Sequence, residues 1–215
     1  MKRTFYFLLI TTLCILPLKA QTEQKATKNI LDNMVAAFHA NGGIKAGFTL
    51  KTAHKNQPPT EFQGTIQVKG EKFLLKTDQV TIWFDGKTQW NYGNHTNEIN
   101  ITTPTPEELQ GINPYALLSA YQKGFEYKTG TRTHFQGKSI HEVILTASDK
   151  KQDIPSIRLY ITKDTYQPVY ILMEQQSGHR NEITIVRYQI KQPYDDAVFT
   201  FKKEQYPDIE IIDLR

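Results

Sequence analysis

Six histidines are the side chains of this sequence best able to hold a metal ion, but their spacing gives them no shared site. No two lie three or four residues apart, the spacing that places two ligands on one helix face, and no carboxylate cluster accompanies them. His134 and His141 flank the Gln136-Gly137 turn and could meet across a hairpin, although two surface residues are the simpler interpretation. We therefore predict no metal site.

Nucleophilic and phosphate-binding motifs are also missing from the sequence. It contains no Gly-x-Ser-x-Gly, no Gly-x-Gly-x-x-Gly and no phosphate-binding loop. The acidic pair Asp195-Asp196 follows Pro193-Tyr194, which indicates a solvated turn and not a pair of catalytic carboxylates. No catalytic residue and no cofactor are predicted, and a hydrolase of lipid or glycan is the least favoured function that we consider.

The composition is that of an ordinary globular protein, without the excess of positive charge that binds a polyanion. Hydrophobic residues make up 39% and charged residues 22% of the 215 positions, which excludes a disordered chain. The net charge is +4, but three of the 26 basic residues, Lys2, Arg3 and Lys19, lie among the first twenty residues. Without that segment 23 basic residues face 22 acidic ones, so nucleic acid is not an expected partner.

That first segment has the pattern of an export signal. Met1-Lys2-Arg3 is a positive start, Phe5 to Leu16 is an apolar run too short to span a bilayer, and Ala20 offers a small residue for cleavage. The alternative is a buried N-terminal helix. We predict a signal over residues 1–20 and a single mature domain over residues 21–215. Cys14 is the only cysteine and would leave with the signal, so no disulfide is expected.

The remaining residues alternate in a way that predicts one long curved sheet. Ile30, Leu31, Met34, Val35 and Phe38 recur at helical spacing, and we expect a helix over residues 22–40. About eleven antiparallel strands follow, each with one apolar and one polar face. They are expected in the alternating stretches around 44–50 and 61–69 and at 73–77, 80–84, 88–92, 98–102, 125–132, 139–147, 157–162, 169–174, 183–192 and 198–201.

A second helical segment interrupts the strands between Thr103 and Gly124. Thr105 to Glu108 forms a capping box, and Asn113-Pro114 begins a short helix that ends at Gly124. A long sheet with one apolar face must curl until that face is covered, and two helices are too few to cover it tightly. The fold class is therefore mainly β with helices (α+β), with the curved antiparallel sheet forming an incomplete, unclosed β-barrel. Its mouth, beneath the helices, is the predicted ligand site.

The hairpin at residues 84–92 resembles the signature of the outer-membrane lipoprotein carrier family, LolA. That signature reads Asp-Gly-Lys-Thr-x-Trp-x-Tyr, and every fixed position is matched. The matching residues are Asp85, Gly86, Lys87, Thr88, Trp90 and Tyr92. Weaker similarities flank it, and they lie at Ala46-Gly47-Phe48, at residues 64–69, at Asn113 to Leu118 and at Phe199-Thr200-Phe201.

This resemblance implies a periplasmic shuttle with no enzymatic activity and no cofactor, expected as a monomer. Such a carrier takes acylated lipoproteins from an inner-membrane lipoprotein-releasing ABC transporter and delivers them to an outer-membrane acceptor. Its fold is an open barrel with a helical lid over an apolar cavity. A protein of the same fold that binds another apolar ligand, such as a glycolipid or a free lipid, is the first alternative.

The period of the strands and helices predicts which side chains line the cavity. The sheet side would contribute Phe48, Leu50, Phe62, Ile66, Val68, Phe73 and Leu75. The lid would contribute Ile30, Met34, Phe38, Leu117, Leu118 and Tyr121. The alternation leaves open whether Trp83 or its neighbours Ile82 and Phe84 face inward.

One departure from the family pattern concerns the lid. Family members commonly carry an Arg after Val-Lys that bonds to the lid helix, whereas here Val68-Lys69 is followed by Gly70. Lys72 is the nearest cation and lacks the planar fork of a guanidinium. A lid held less firmly is therefore expected, and a Gly70→Arg substitution would tighten it if the backbone there does not need a positive φ.

Overall fold

A computed structural model describes residues 16–55, 57–105, 108–109, 120–122 and 124–215. Within these residues a long helix, α1, spans Leu16–Ala40, and thirteen strands follow it in one sheet. The strands are β1 (Gly43–Ala53), β2 (Thr60–Lys69), β3 (Lys72–Thr77), β4 (Val80–Phe84), β5 (Gln89–Gly93), β6 (Glu98–Thr102), β7 (Phe125–Thr129), β8 (His134–Phe135), β9 (Lys138–Ala147), β10 (Ser156–Thr162), β11 (Pro168–Glu174), β12 (Arg180–Gln189) and β13 (Glu210–Asp213).

The sheet is unclosed, as the sequence predicts. Its order is β13-β6-β5-β4-β3-β2-β1-β12-β11-β10-β9-β7, with β8 paired only to β9. Neighbouring strands are antiparallel except for β13, which runs parallel to β6 and which the alternation pattern did not predict. The mainly β fold with an incomplete barrel is therefore confirmed, although not every strand pair is antiparallel.

Helix α1 covers one face of this sheet, which we call the concave face. Leu31 and Met34 have no exposed surface and Phe38 is 6% exposed, because all three pack on side chains from the middle of the sheet. The helix ends where expected, since Gly42 takes a positive φ of 63° that stops helical propagation. Residues 16–20, assigned above to the export signal, form its first turns, while residues 1–15 lie outside the described residues.

The opposite, convex face carries a second apolar cluster that the one-sided alternation did not anticipate. Its buried members are Leu74, Trp83, Ile99, Phe199 and Ile209, and Trp90, Tyr92, Tyr194, Val198, Phe201 and Tyr206 pack against them. The register settles the open question about β4. Phe73 pairs with Phe84 and Leu75 with Ile82 on the concave face, so Leu74 and Trp83 face the convex cluster.

The predicted strand at 198–201 is wrong, because Asp196–Phe199 is a 3-10 helix. Asp195 caps this helix, and its side chain accepts a hydrogen bond from the Ala197 N–H at 2.8 Å. An aspartate that bonds to the backbone locally competes with a sheet ladder. The local turn directs Phe199 into the convex cluster, edge-on to Tyr194. The C-terminal segment therefore covers the outside of the sheet.

An ion-pair cluster holds this segment to the turn between β2 and β3. Lys69 Nζ donates to Asp196 Oδ1 at 2.8 Å and to the Tyr194 carbonyl at 3.0 Å, and Lys72 Nζ donates to Asp196 Oδ2 at 2.6 Å. These hydrogen bonds to Lys69 and Lys72 lower the pKa of Asp196 from 3.8 to about 2. Asp195-Asp196 is thus an anchored turn, with one residue capping and the other paired.

Acid should release this anchor. Because the pKa of Asp196 is depressed in the folded protein, its contribution to stability is complete above pH 3.8 and is lost as the pH falls through about 2. We expect Asp196→Asn to lower the urea midpoint at pH 7, and the difference from the wild type to shrink between pH 4 and pH 2. Glu204→Gln, an exposed control on the same segment, should show no such change. A pH-independent difference for Asp196→Asn would contradict the ion-pair assignment.

Candidate functional site

The sheet register arranges the concave face into rows of side chains that run across the strands. The first row contains Ile44, Val68, Phe73 and Phe84; the second contains Tyr188, Ala46, Ile66, Leu75 and Ile82. A third contains Ile185, Phe48 and Gly64, and a fourth contains Ile183, Leu50 and Phe62. All seven predicted sheet residues therefore lie on this face, because residues paired across antiparallel strands share a face.

Burial divides these residues into a packed floor and an accessible wall. Val68 is 2% exposed and Phe73 is fully buried against Phe84, with ring centroids 5.4 Å apart. Phe48 and Ile66 are also buried, whereas Leu50, Phe62 and Leu75 are only half-buried. We call the half-buried residues, together with Ile82, Ile183 and Ile185, the apolar wall. A ligand could contact this wall without unpacking the core.

The described lid residues lie against this face. Met34 and Phe38 are buried in the same cluster as the sheet residues, Ile30 is half-buried beside them, and Tyr121 is 4% exposed. Leu117 and Leu118 lie outside the described residues, so their predicted place in the lid stays a prediction. Gly64 makes room for the Phe48 ring, because a Cβ there would collide with it.

Polar contacts connect α1 to its surroundings. The Tyr121 hydroxyl donates to Asp32 Oδ1 at 2.8 Å, and Lys28 Nζ donates to the same carboxylate at 2.8 and 2.9 Å. The hydrogen bond from Lys28 is the main cause of a lowered pKa at Asp32, and burial raises the pKa of Tyr121. Thr27 and Thr129 share a hydrogen bond of 2.7 Å that fixes α1 to the edge strand β7.

Position 70 is not suited to an arginine that would hold the lid closed. Its φ is +59°, a left-handed conformation that costs about 1–2 kcal/mol for a residue with a Cβ. The condition attached to the Gly70→Arg substitution is therefore not met. The neighbouring cations Lys69 and Lys72 bind Asp196 on the C-terminal segment. Within the described residues, Tyr121 and Asp32 supply a polar connection between α1 and the segment that interrupts the strands.

The signature residues of the family hairpin form its turn and part of the convex cluster. The Asp85 carboxylate accepts from the N–H groups of Lys87 and Thr88, and Gly86 takes a φ of +101° in the turn. Trp90 and Tyr92 point to the convex cluster, where Tyr92 meets Tyr206 at 5.0 Å. Thr88 is buried and Lys87 is exposed. These residues fix the turn and the outer core.

A strip of polar side chains on the concave face was missed by the sequence analysis. Gln89 pairs with Phe84 and with Thr102, while Asn91 pairs with Ile82 and with Asn100. The first two rows thus change from apolar to polar between β4 and β5. The pattern was visible as polar residues alternating with Trp90, Tyr92, Ile99 and Ile101, but alternation alone places polar residues in solvent.

Other features among the described residues give little support for a functional site. No group of three or more metal-ligating side chains is found there; His134 bonds to Thr133 and Ser139, and His141 stacks on Tyr166. No described helix is long and apolar enough to cross a membrane. A pocket of about 120 Å³ at the C-terminal end of α1 is lined by Phe38, His39, Gly42, Gly43, Lys69 and Gly70. It is smaller than the ~300–1,000 Å³ of typical ligand sites.

Comparisons with known proteins agree with this architecture. The family described as outer membrane lipoprotein carrier protein LolA matches residues 16–177. An uncharacterised conserved protein of Thermus thermophilus superposes with a TM-score of 0.59 at 11% identity, over 87% of this chain and 99% of that one. A DUF1329-family protein of Desulfovibrio piger gives 0.50 at 10% identity, over 83% and 97%.

A further match is a LolA-superfamily protein of Nitrosomonas europaea, with a TM-score of 0.47 at 11% identity over 81% of this chain and 97% of that one. Comparison with curated proteins found no match. The solved structures are too distant in sequence to indicate more than the fold. The family match covers α1 and the strands of the concave face as far as β11.

Proposed function

Because this chain belongs to the outer-membrane lipoprotein carrier (LolA) family, we propose that it carries the acyl chains of lipoproteins through the periplasm from the inner to the outer membrane. The observation that carries the proposal is the half-buried apolar wall of the concave face beneath α1, formed by residues such as Leu50, Leu75 and Ile82. An unclosed sheet with a helix across its apolar face can admit a chain by moving the helix.

The energetics of acyl transfer favour a carrier with this kind of cover. Burying an acyl chain is worth about 0.8 kcal/mol per CH₂, so one chain of ordinary length gains roughly 10 kcal/mol relative to water. A ligand held so strongly does not escape into water and must pass to another apolar phase. Exposing Met34 and Phe38 on opening costs free energy that bound lipid offsets, so the helix adjusts the balance between loading and delivery.

Export and partners form part of the same proposal. The signal over residues 1–20 would be removed near Ala20, which leaves residues 21–40 of α1 and the whole sheet in the mature domain. An inner-membrane ABC transporter would load the carrier, and an outer-membrane acceptor would receive the cargo. Intact-mass measurement should give a chain that begins at or near Gln21, whereas a chain retaining Phe5 to Leu16 would contradict the export step.

The proposal is tested by the release of lipoproteins from membranes. Mature protein added to inner-membrane vesicles that hold newly acylated lipoproteins and the releasing transporter should bring those lipoproteins into the soluble fraction as a complex. Mass spectrometry of protein purified from its native compartment should find acylated polypeptide. Recovery of only a glycolipid or a free lipid would favour a binding protein of the same fold, and turnover of ester substrates would favour an enzyme.

A further inference from the structure

The polar strip on β5 and β6 continues the first two rows of the concave face, next to Phe84 of the packed floor and Ile82 of the apolar wall. Gln89 and Asn91 lie one strand away from Phe84 and Ile82 on this face, and Asn100 and Thr102 lie one strand further. Adjacent strands lie about 4.8 Å apart, so a molecule a few atoms wide touches both surfaces at once. A ligand whose acyl chain lies on the wall would therefore place its first polar atoms on this strip.

Gln89 shows that the strip is incomplete on its own. Its side chain is buried, with 5% of its surface exposed, and its Nε2 donates to Asn91 Oδ1 at 3.2 Å. Its Oε1 is buried and has no hydrogen-bond partner among the described residues. A buried acceptor without a donor is rare in folded proteins and is costly to leave unpaired.

We propose that this strip binds the amide that joins an acyl chain to an amine, with Gln89 Oε1 accepting its N–H. The inference rests on the proposed function, because it assigns the polar end of the same ligand. An acceptor needs a donor, and an ester, a carboxylate or a phosphate offers none. An N-acylated amino terminus carries both an N–H and a carbonyl beside its chain, and the Asn100 amide and the Thr102 hydroxyl can donate to that carbonyl.

The arrangement gives the site a direction and a preference. The acyl chain would extend from β4 towards β1 over Leu75 and Ile66. The polypeptide or headgroup would leave over β5 and β6, towards the edge of the sheet that β13 forms. A free fatty acid fills the wall but leaves Oε1 unpaired. The strip therefore distinguishes N-acylated ligands from lipids that carry only esters.

A matched pair of small amphiphiles tests the assignment. N-dodecanoylglycine has an amide N–H, and N-dodecanoylsarcosine carries a methyl group in its place. Dodecanoyl glycolate replaces the N–H with an ester oxygen. Calorimetric titration of the mature protein, below the critical micelle concentration of each ligand, should show about tenfold tighter binding of N-dodecanoylglycine than of the other two.

Substitution of Gln89 should remove that preference and leave chain binding in place. Gln89→Met keeps the length of the side chain without its carbonyl, and we expect all three ligands to bind it within about twofold of one another. Gln63→Met changes an exposed glutamine of β2 on the convex face and should keep the tenfold preference. If Gln89→Met fails to fold, the ligand series on the wild-type protein still decides the question.

The outcomes separate this inference from the proposed function. Equal affinity of the wild-type protein for all three ligands would overturn the amide site while leaving acyl binding intact. The inference would also be overturned if Gln89→Met lowered the affinity for dodecyl glucoside more than the affinity for N-dodecanoylglycine, because the donor would then be a sugar hydroxyl. If none of these amphiphiles binds, the proposed function fails and the inference fails with it.

Discussion

Leu75→Glu is expected to abolish acyl binding while leaving the fold intact. Leu75 is half-buried in the second row of the concave face, between Ile66 and Ile82, so a carboxylate can reach water when no ligand is bound. A bound acyl chain would cover that charge, at a cost of several kcal/mol. Since 1.4 kcal/mol corresponds to a factor of ten, affinity for dodecanoate and its derivatives should fall by at least about a hundredfold. Lipoprotein release from membranes should be lost with it.

Lys76→Glu provides the matched control for this experiment. It places the same side chain on the next residue of β3, which is exposed on the convex face, and makes a larger change in net charge. Binding and release should stay at the wild-type level. Circular dichroism should show folded protein for both variants, and Leu75→Asn, which adds no charge, would replace Leu75→Glu if it did not fold. A folded Leu75 variant that binds and releases like the wild type would disprove the wall as the acyl site.

Phe73 is not an equivalent position, although the alternation pattern placed it beside Leu75. Its side chain is fully buried and packs against Phe84, so Phe73→Glu would put a charge in the permanent core. Loss of activity in that variant would report unfolding. The period of a strand indicates which face a residue occupies, but the helix above decides how deeply the residue is covered. That depth depends on contacts between distant parts of the chain.

The elements with one apolar face were the predictable ones. Helix α1 ends at Ala40 and β4 ends at Phe84 as expected, because Gly42 and the Asp85-Gly86 turn act locally. Strand β6 also has the predicted bounds. The faces of β4, in contrast, could not be assigned from the local sequence. Ile82 and Trp83 are both large and apolar, so alternation could not assign a face until pairing with β3 fixed the register.

The polar strip and the C-terminal segment were beyond prediction for a related reason. Gln89 and Asn91 lie beside Trp90 and Tyr92, and an isolated strand of that pattern indicates polar residues in solvent. Here the aromatic residues turn outward instead, because a segment more than 100 residues later in the sequence covers them. Only Asp195, through its cap, gave a local indication that this segment was not a strand.

Phe199→Ala is expected to cost about 3–5 kcal/mol of unfolding free energy, the usual loss for a large aromatic residue in a core. Phe199 is fully buried on the convex face, edge-on to Tyr194 at 5.7 Å, in the cluster that contains Leu74 and Trp83. Guanidinium unfolding at pH 7 should show a lower midpoint with an unchanged slope. Val198→Ala, at a half-buried neighbour, should cost clearly less.

The affinity of folded Phe199→Ala for dodecanoate should match that of the wild type, because Phe199 and the acyl wall lie on opposite faces of the sheet. Stability and binding would then change independently, with Leu75→Glu altering binding alone and Phe199→Ala altering stability alone. If Phe199→Ala lowered the free energy of unfolding by less than about 1 kcal/mol, the C-terminal segment would not be part of the cooperative fold. A loss of dodecanoate affinity in the folded variant would show that the two faces are coupled through β3 and β4.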